Sequence, residues 1–133
     1  QLRFHFNQAA AALTTAEAME SQDVLCPFPR YALDYALSNS LGALPTRYML
    51  PEGLLQLWEG RDEQEYDMWN TLKTYLDNEM SGTKTAQDLY IHRTTLQNRL
   101  RRIEQFVDLR TAQERTYIRY CIYLCEAQRR LKR

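Results

Sequence analysis

The sequence predicts a mainly α-helical fold: a helical bundle that contains a helix-turn-helix and follows a small N-terminal segment of helix with one short β-strand. The 133-residue chain has only four glycines and four prolines, too few for a β-sandwich with its many turns. Apolar residues recur at helical spacing through the second half of the chain, as expected for helices with one buried face. A hydrophobic share of 44% is sufficient for a core.

The N-terminal segment is predicted to begin with a helix and a strand. Leu2–Met19 is rich in alanine and free of glycine and proline, which favours a helix. Val24–Cys26 is a short apolar run ended by prolines at positions 27 and 29, which predicts a short strand. A second helix is expected over Tyr31–Leu41, where Gly42 ends it.

The clearest candidate for a linker is the polar, acidic stretch Gly60–Glu65. Before it, Pro51 fits the first turn of a short helix that reaches Trp58, since the proline needs no N–H there. A boundary at the linker divides the chain into residues 1–60, a segment of its own, and residues 61–133, which hold the helix-turn-helix.

Four helices are predicted after the linker, from their apolar stripes and from the breaks between them. Their expected bounds are Glu65–Asn78, Thr83–Leu89, His92–Phe106 and Thr111–Lys132. Ser81 and Gly82 separate the first from the second, and Thr83 is the expected N-cap of the second. The buried face of the last helix is expected to include Tyr117, Ile118, Cys121, Leu124 and Cys125.

The second and third of these helices have the pattern of a helix-turn-helix. Two short helices joined by a tight turn pack at a steep angle only when the contact residue is small, and Ala86 provides this. The apolar wedge between the two helices is expected to consist of Leu89, Ile91, Leu96 and Leu100. This packing would direct the start of the third helix outward, where it can enter a DNA major groove.

The outward face of that helix carries side chains suited to DNA. Arginine pairs with guanine, and glutamine or asparagine with adenine. The candidate base-reading residues are His92, Arg93, Thr94, Gln97, Asn98 and Arg101. The candidate phosphate contacts are Thr83, Lys84, Thr95, Arg99 and Arg102. The same pattern is also compatible with a basic amphipathic helix packed on a partner protein.

The net charge of zero conceals an uneven distribution along the chain. Residues 1–82 contain five basic and twelve acidic side chains, for a charge of −7. Residues 83–133 contain twelve basic and five acidic side chains, for a charge of +7. An acidic half joined to a basic half indicates that only the second half meets a polyanion, unless the arginines are simply a solvated helix face.

A resemblance to a known family rests on twenty consecutive residues. They are Thr85-Ala86-Gln87-Asp88-Leu89-Tyr90-Ile91-His92-Arg93-Thr94-Thr95-Leu96-Gln97-Asn98-Arg99-Leu100-Arg101-Arg102-Ile103-Glu104. This run resembles the C-terminal helix-turn-helix of the PucR/CdaR family of bacterial regulators, with its pattern T-A-x-x-L-x-[VI]-H-R-N-T-L-x-Y-R-L-x-R-I-E. It is less closely similar to the Fis-type helix-turn-helix. With the leading helix at Trp69–Asn78, the resemblance covers about residues 66–125 and implies a DNA-binding output domain.

The sequence departs from the family pattern at three positions. Thr94 replaces the usual asparagine and Asn98 the usual tyrosine, both on the exposed face, which implies a different operator sequence. Gly82 stands where an apolar residue is common. Residues 1–60 resemble the end of the GGDEF-like segment that precedes this domain in the family, without its nucleotide-binding signature, so that this part implies a remnant of a regulatory segment.

Other classes of protein are disfavoured. The two histidines, His5 and His92, have no catalytic neighbourhood, and no glycine-rich phosphate loop occurs, so no catalytic residue and no cofactor is expected. Cys121 and Cys125 lack further ligands at zinc spacing, so no metal is expected. The odd cysteine count fits a reducing bacterial cytoplasm. No apolar run approaches the ~20 residues that span a bilayer.

The expected partner is double-stranded DNA, bound by a homodimer, because two half-sites double the contacts. The chain begins at Gln1, so it is expected to be cut from a longer protein, in which a small-molecule effector acts only through a region upstream. The alternative is a helical protein–protein interaction or dimerisation module that does not read DNA. Its support is the number of aromatic side chains, namely Tyr66, Trp69, Tyr75, Tyr117, Tyr120 and Tyr123. RNA binding is less favoured, since no aromatic platform is evident.

Overall fold

The computed structural model describes residues 1–22 and 24–131, and the elements within these ranges are helical. The helices are α1 (Leu2–Ala18), α2 (Phe28–Asn39), α3 (Glu52–Glu59), α4 (Glu63–Asp77), α5 (Gly82–Asp88), α6 (Arg93–Ile103) and α7 (Ala112–Leu131). A single 3-10 turn at Thr46–Tyr48 precedes α3. The prediction of a mainly α-helical bundle is confirmed. None of the helices in the described ranges is long and apolar enough to cross a membrane.

The short strand expected at Val24–Cys26 is wrong. Val24 lies in a bend, and the next two residues have irregular backbone. Val24 is 97% exposed, so that its apolar side chain is not part of a core. A strand needs a partner strand for its N–H and C=O groups, and the described elements on either side of this segment are helices.

The chain forms two compact units, which we call the N-terminal unit and the central unit. The N-terminal unit comprises Gln1–Thr46 with the chain from Tyr123 onward, and the central unit comprises Arg47–Ile122. Helix α7 contributes residues to both. Compact units are not the same as independently folding domains, so the division at residues 60 and 61 stays a prediction.

The N-terminal unit is built on the packing of α1 against α2. Its core contains the small side chains of Ala12 and Ala16 and the ring of Tyr31, all buried. The alanines let the two helices approach closely, and the Tyr31 ring fills the space between them. The Tyr31 hydroxyl is hydrogen-bonded to Ser21 Oγ at 2.8 Å, so burial of the ring leaves no polar atom unsatisfied.

Helix α4 lies at the centre of the central unit, where it contacts α3, α5 and α6. Trp58 of α3 and Trp69 of α4 stack at a tilt, with ring centroids 5.0 Å apart. The buried apolar side chains of this unit include Leu54, Leu57, Met68, Leu72, Leu76, Leu96, Ile103, Ile118 and Ile122. Thr71 of α4 is also fully buried, and its hydroxyl oxygen accepts a hydrogen bond from Arg99 of α6.

The acidic stretch expected to be a linker contains the start of α4. The Asp62 carboxylate accepts from the Glu65 N–H at 2.7 Å, and the Glu65 carboxylate accepts from the Asp62 N–H at 3.4 Å. This reciprocal capping box satisfies two backbone donors that the first turn would otherwise leave free. Helix α4 therefore begins at Glu63, two residues before the predicted start.

Helix α3 approaches the chain beyond α6 through Gly53. A Cβ atom on Gly53 would lie 1.8 Å from the backbone carbonyl oxygen of Phe106. Only a residue without a side chain fits at this separation, because the neighbouring atom is backbone and cannot rotate away. Gly53 thus sets the distance between α3 and the segment that follows α6.

The buried face of α7 differs from the prediction at one position. Ile118, Cys121, Leu124 and Cys125 are buried as expected. Tyr117 is instead 38% exposed, and its hydroxyl donates to the backbone carbonyl of Met49. Burial raises the pKa of the Cys121 thiol to about 11, which keeps this thiol protonated and unreactive near neutral pH.

Candidate nucleic-acid interface

Helix α5 begins at Gly82 and is capped by Ser81. The Ser81 hydroxyl accepts from the Lys84 N–H at 3.3 Å, which makes Ser81 the N-cap. The prediction that Thr83 caps this helix is wrong, because the helix starts one residue before it. Thr83 lies instead within the first turn of α5, where it is exposed beside the exposed Lys84.

The contact between α5 and α6 is apolar and close. Ala86 of α5 and Leu96 of α6 are buried, as the helix-turn-helix pattern predicts. The other wedge residues, Leu89, Ile91 and Leu100, are half-buried. Thr85 is fully buried and its hydroxyl donates to the Ser81 carbonyl at 2.7 Å, so this polar side chain enters the wedge without an unsatisfied donor.

The turn between the two helices contains Leu89 and Tyr90. The Ile91 N–H donates to the Ala86 carbonyl at 3.1 Å, which closes the end of α5. Tyr90 has a φ of +54°, in the left-handed region that glycine favours at this position. The left-handed conformation costs a residue with a Cβ atom about 1–2 kcal/mol. The Tyr90 side chain is 96% exposed.

His92 caps the start of α6 with its ring. The Thr94 N–H donates to His92 Nδ1 at 3.2 Å, so that Nδ1 is the unprotonated ring nitrogen in this arrangement. The remaining proton of the neutral ring is therefore on Nε2. Because the ring is exposed, Nε2–H is a donor held at the tip of α6 and directed away from the cap.

The outer face of α6 is basic and polar. The predicted base-reading residues all lie at the start of α6 or on this face, and all are exposed, namely His92, Arg93, Thr94, Gln97, Asn98 and Arg101. Four arginines and no acidic side chain occur in Arg93–Ile103. Of the predicted phosphate contacts, Thr95 and Arg102 of α6 and Thr83 and Lys84 of α5 are also exposed.

Arg99 differs from the other predicted phosphate contacts. Its guanidinium donates to Thr71 Oγ1 at 3.2 Å and to Asp67 Oδ2 at 3.1 Å, both on α4. The sequence contained the signal for this, because Arg99 follows Leu96 by three residues and precedes Ile103 by four. It therefore lies on the same face of α6 as the buried residues. Arg99 ties the exposed helix to α4.

A second polar tie orients α5. Asn78, the C-cap residue of α4, donates from its side-chain amide to Asp88 Oδ2 at 2.8 Å. Asp88 is the last residue of α5. Helix α4 is thus joined by side-chain hydrogen bonds to both α5 and α6. The residues Asp67, Thr71, Asn78 and Asp88 are not among the predicted site residues, because the spacing of apolar residues along one helix does not show which side chains pair between helices.

This architecture defines a helix-turn-helix domain, in which a small wedge holds two short helices and one of them presents its polar face to solvent. In a comparison with known families, residues 68–122 match the model of the PucR C-terminal helix-turn-helix domain. The predicted resemblance to this family is confirmed for that segment. Domains of this family are DNA-binding output domains of regulators. Whether residues 1–60 derive from a GGDEF-like segment stays a prediction.

One curated relative is similar over part of the chain. It is "Uncharacterized protein YsfB" of Bacillus subtilis (strain 168), 34% identical over 65 residues. The match covers 49% of this chain and 17% of the relative. The chain thus spans about one sixth of the length of this relative. No solved structure matches the chain.

Proposed function

We propose that this chain binds double-stranded DNA in a sequence-specific manner, with α6 in the major groove, as the output domain of a bacterial transcription regulator acting in the cytoplasm. The observation that carries the proposal is the exposed face of α6, which bears arginine and amide side chains and no carboxylate. A solvated helix of this length usually mixes both signs of charge, so a face of one sign favours a polyanionic partner.

Within this proposal, the side chains of α6 divide by the part of DNA that they contact. Arg93 and Arg101 suit the acceptor edge of guanine, and Gln97 and Asn98 suit adenine. The exposed Lys84 and Arg102 suit phosphates, with the hydroxyls of Thr83 and Thr95 as neutral donors. We assign Arg99 a positioning role, because its guanidinium is engaged with α4.

The proposal includes a homodimer and a longer regulator. Helix-turn-helix proteins commonly bind as dimers to two half-sites about 34 Å apart. A small-molecule effector would act through a region outside this chain, and through it change the affinity for DNA.

The test is a fluorescence-anisotropy titration of the protein with random and genomic upstream duplexes at two salt concentrations. Counterion release predicts a slope of log K against log salt of about −0.9 for each phosphate contact. Tight, salt-sensitive binding with preference for one duplex supports the proposal. Absence of binding at low salt by a folded sample contradicts it and favours the protein-interaction alternative.

A matched pair of variants tests the orientation of α6. Arg93→Ala removes an exposed guanidinium from the proposed reading face, and we expect weaker binding and reduced sequence preference by ~1–3 kcal/mol. Arg61→Ala removes an exposed guanidinium from the same unit, just before α4, and should change little. If both variants bind the preferred duplex equally well, α6 does not read DNA with this face.

A further inference from the structure

The turn of the helix-turn-helix contains a residue that the fold itself does not explain. Tyr90 combines a positive φ of +54° with a side chain that is 96% exposed. A tyrosine ring is one of the largest apolar surfaces that a residue can bury, and here it is almost fully in water. Its hydroxyl forms no hydrogen bond with any residue in the ranges 1–22 and 24–131.

Glycine would suit this position better for folding. The backbone N–H of Tyr90 donates to the Gln87 carbonyl at 3.1 Å, and the Ile91 N–H to the Ala86 carbonyl, as at the end of a helix with a left-handed residue. A residue without a Cβ atom adopts this conformation freely. Replacing Tyr90 by glycine removes almost no buried contact, so the tyrosine side chain opposes the conformation of the turn and gains nothing from packing.

The position of Tyr90 indicates what the side chain contacts. It precedes the α6 cap, His92, by two residues, so it lies at the end of α6 that approaches a major groove in a helix-turn-helix complex. It is outside the helix, on the turn, where the neighbouring part of DNA is the edge of the groove. Tyrosine hydroxyls are among the donors that bind phosphate oxygens at such edges.

We propose that Tyr90 is a DNA-backbone contact, with its phenol O–H donating to a phosphate oxygen at the edge of the groove that α6 enters. This inference rests on the proposed function and adds to it a neutral contact that fixes the depth and angle of α6. The contact does not distinguish bases, and it displaces no condensed counterion because the phenol is uncharged.

The first test compares Tyr90→Phe with Tyr66→Phe by anisotropy titration of the preferred duplex and of a random duplex at two salt concentrations. Tyr66, an exposed tyrosine of α4, is the matched control. Loss of the hydroxyl at Tyr90 is expected to weaken the affinity for both duplexes by about tenfold, equivalent to ~1.4 kcal/mol. The ratio of the two affinities and the salt slope are expected to stay unchanged, and Tyr66→Phe is expected to bind as the original protein does.

The second test separates a contact from a structural role. Tyr90→Gly is expected to raise the urea midpoint of unfolding, since the backbone conformation is relieved, and at the same time to weaken DNA binding by about tenfold or more. A residue that acted only through the fold would move both quantities in the same direction.

The possible outcomes distinguish this inference from the proposed function. If the original protein binds no duplex, the proposed function fails, and the role of Tyr90 fails with it. If the original protein binds, and Tyr90→Phe and Tyr90→Gly bind equally well, the proposed function stands and the role of Tyr90 is overturned. If Tyr90→Phe changes the preference between duplexes, the contact is to a base and the backbone assignment is overturned.

Discussion

The ring of His92 has two nitrogens with different tasks in the structure. Nδ1 accepts from the Thr94 N–H and so completes the first turn of α6. Nε2 carries the remaining proton and is free to donate outward. If DNA is the partner, one side chain both starts the reading helix and contributes a donor at its tip. These two tasks are separable, because different side chains reproduce one or the other.

We expect His92→Asn to keep the fold and lose part of the binding. Asparagine is among the best N-cap residues, so the free energy of unfolding should change by less than about 0.5 kcal/mol. The outward donor at the position of Nε2 is lost, so affinity for duplex DNA should fall. Urea unfolding and anisotropy titration measure the two effects.

The complementary variant is His92→Gln, which reaches outward but caps poorly. It should lose about 1 kcal/mol of stability and retain more affinity than His92→Asn. Equal affinity of His92→Asn and the original protein would show that this ring acts only as a cap.

Leu96, unlike the exposed His92, is buried in the wedge between α5 and α6. Leu96→Ala should reduce the free energy of unfolding by ~2–5 kcal/mol, since the small wedge cannot collapse to fill the cavity. The neighbouring exposed Gln97→Ala is the control and should leave stability unchanged. Equal urea midpoints for the two variants would mean that the wedge does not hold the domain together.

At the residue scale, the sequence predicts which side chains are exposed better than it predicts their hydrogen-bond partners. Helical spacing predicts that the six base-reading candidates are exposed, and the structure places all six on the surface. The sequence predicts Arg99 as a phosphate contact, whereas in the structure its guanidinium is hydrogen-bonded to α4. Its partners Asp67 and Thr71 are about thirty positions earlier in the chain, and helical spacing carries no information about such distant pairs.

At the scale of elements, the start of α5 depends on which side chain reaches the free N–H groups of its first turn. The pattern Ser81-Gly82-Thr83 offers two hydroxyls, and the sequence alone favoured the second. In the structure Ser81 is the cap and Gly82 is already helical. Caps of similar chemistry one or two residues apart differ little in local energy, so the tertiary position of α5 decides between them.

The helices are predicted from the sequence, whereas the strand expected at Val24–Cys26 is absent from this segment of the structure. The stripe of α6 and the face of α7 follow from a period that the sequence shows directly. The strand at Val24–Cys26 was inferred from three apolar residues, but a strand also requires a partner, which a local pattern cannot reveal. The approach of α3 to the Phe106 carbonyl was not predicted for a similar reason, since it joins positions distant in the chain.

A pair of glycine substitutions tests how elements are spaced in the central unit. Gly53→Ala should destabilise this unit by ~1–3 kcal/mol, because its Cβ would lie 1.8 Å from a backbone oxygen that cannot move aside locally. Gly82→Ala is the matched control, since its Cβ would make an ordinary contact 3.9 Å from Leu96 Cδ2. It should stabilise by ~0.5–1 kcal/mol, because alanine favours a helix over glycine.

Urea unfolding of both variants provides the measurement. The informative result is the sign, as the two substitutions add the same methyl group to a helical glycine. A stable Gly53→Ala variant would show that α3 can separate from the segment after α6 without loss.

At the scale of the whole molecule, two titratable groups with raised pKa values, the Cys121 thiol and the Tyr75 phenol, link stability to pH. Burial raises the pKa of Cys121 to about 11. Burial and the nearby Glu104 carboxylate raise the pKa of the Tyr75 phenol. Both groups stay protonated in the folded state at pH values where the unfolded chain releases their protons. Folding is therefore opposed increasingly as the pH rises above the unfolded pKa, about 8.5 for a thiol.

We expect the free energy of unfolding to fall between about pH 8.5 and pH 11, by up to ~1.4 kcal/mol for each pH unit from Cys121 alone. Urea midpoints measured from pH 7.5 upward test this. The Cys121→Ala variant should show a shallower decline over the same range. Parallel curves for the two proteins would assign the alkaline loss of stability to other groups.

If α6 reads DNA as proposed, its length limits how many base pairs one copy of the chain can contact. Its 11 residues extend about 16 Å, which corresponds to roughly five base pairs of groove at ~3.4 Å each. A word of five letters recurs by chance about once in a thousand positions, whereas a genome offers at least about a million competing sites. Under the proposed function, a second copy that reads a second five-base-pair site would lower the chance frequency of the combined site to about one in a million positions. This favours recognition of a promoter by two copies of the chain, each with its own α6.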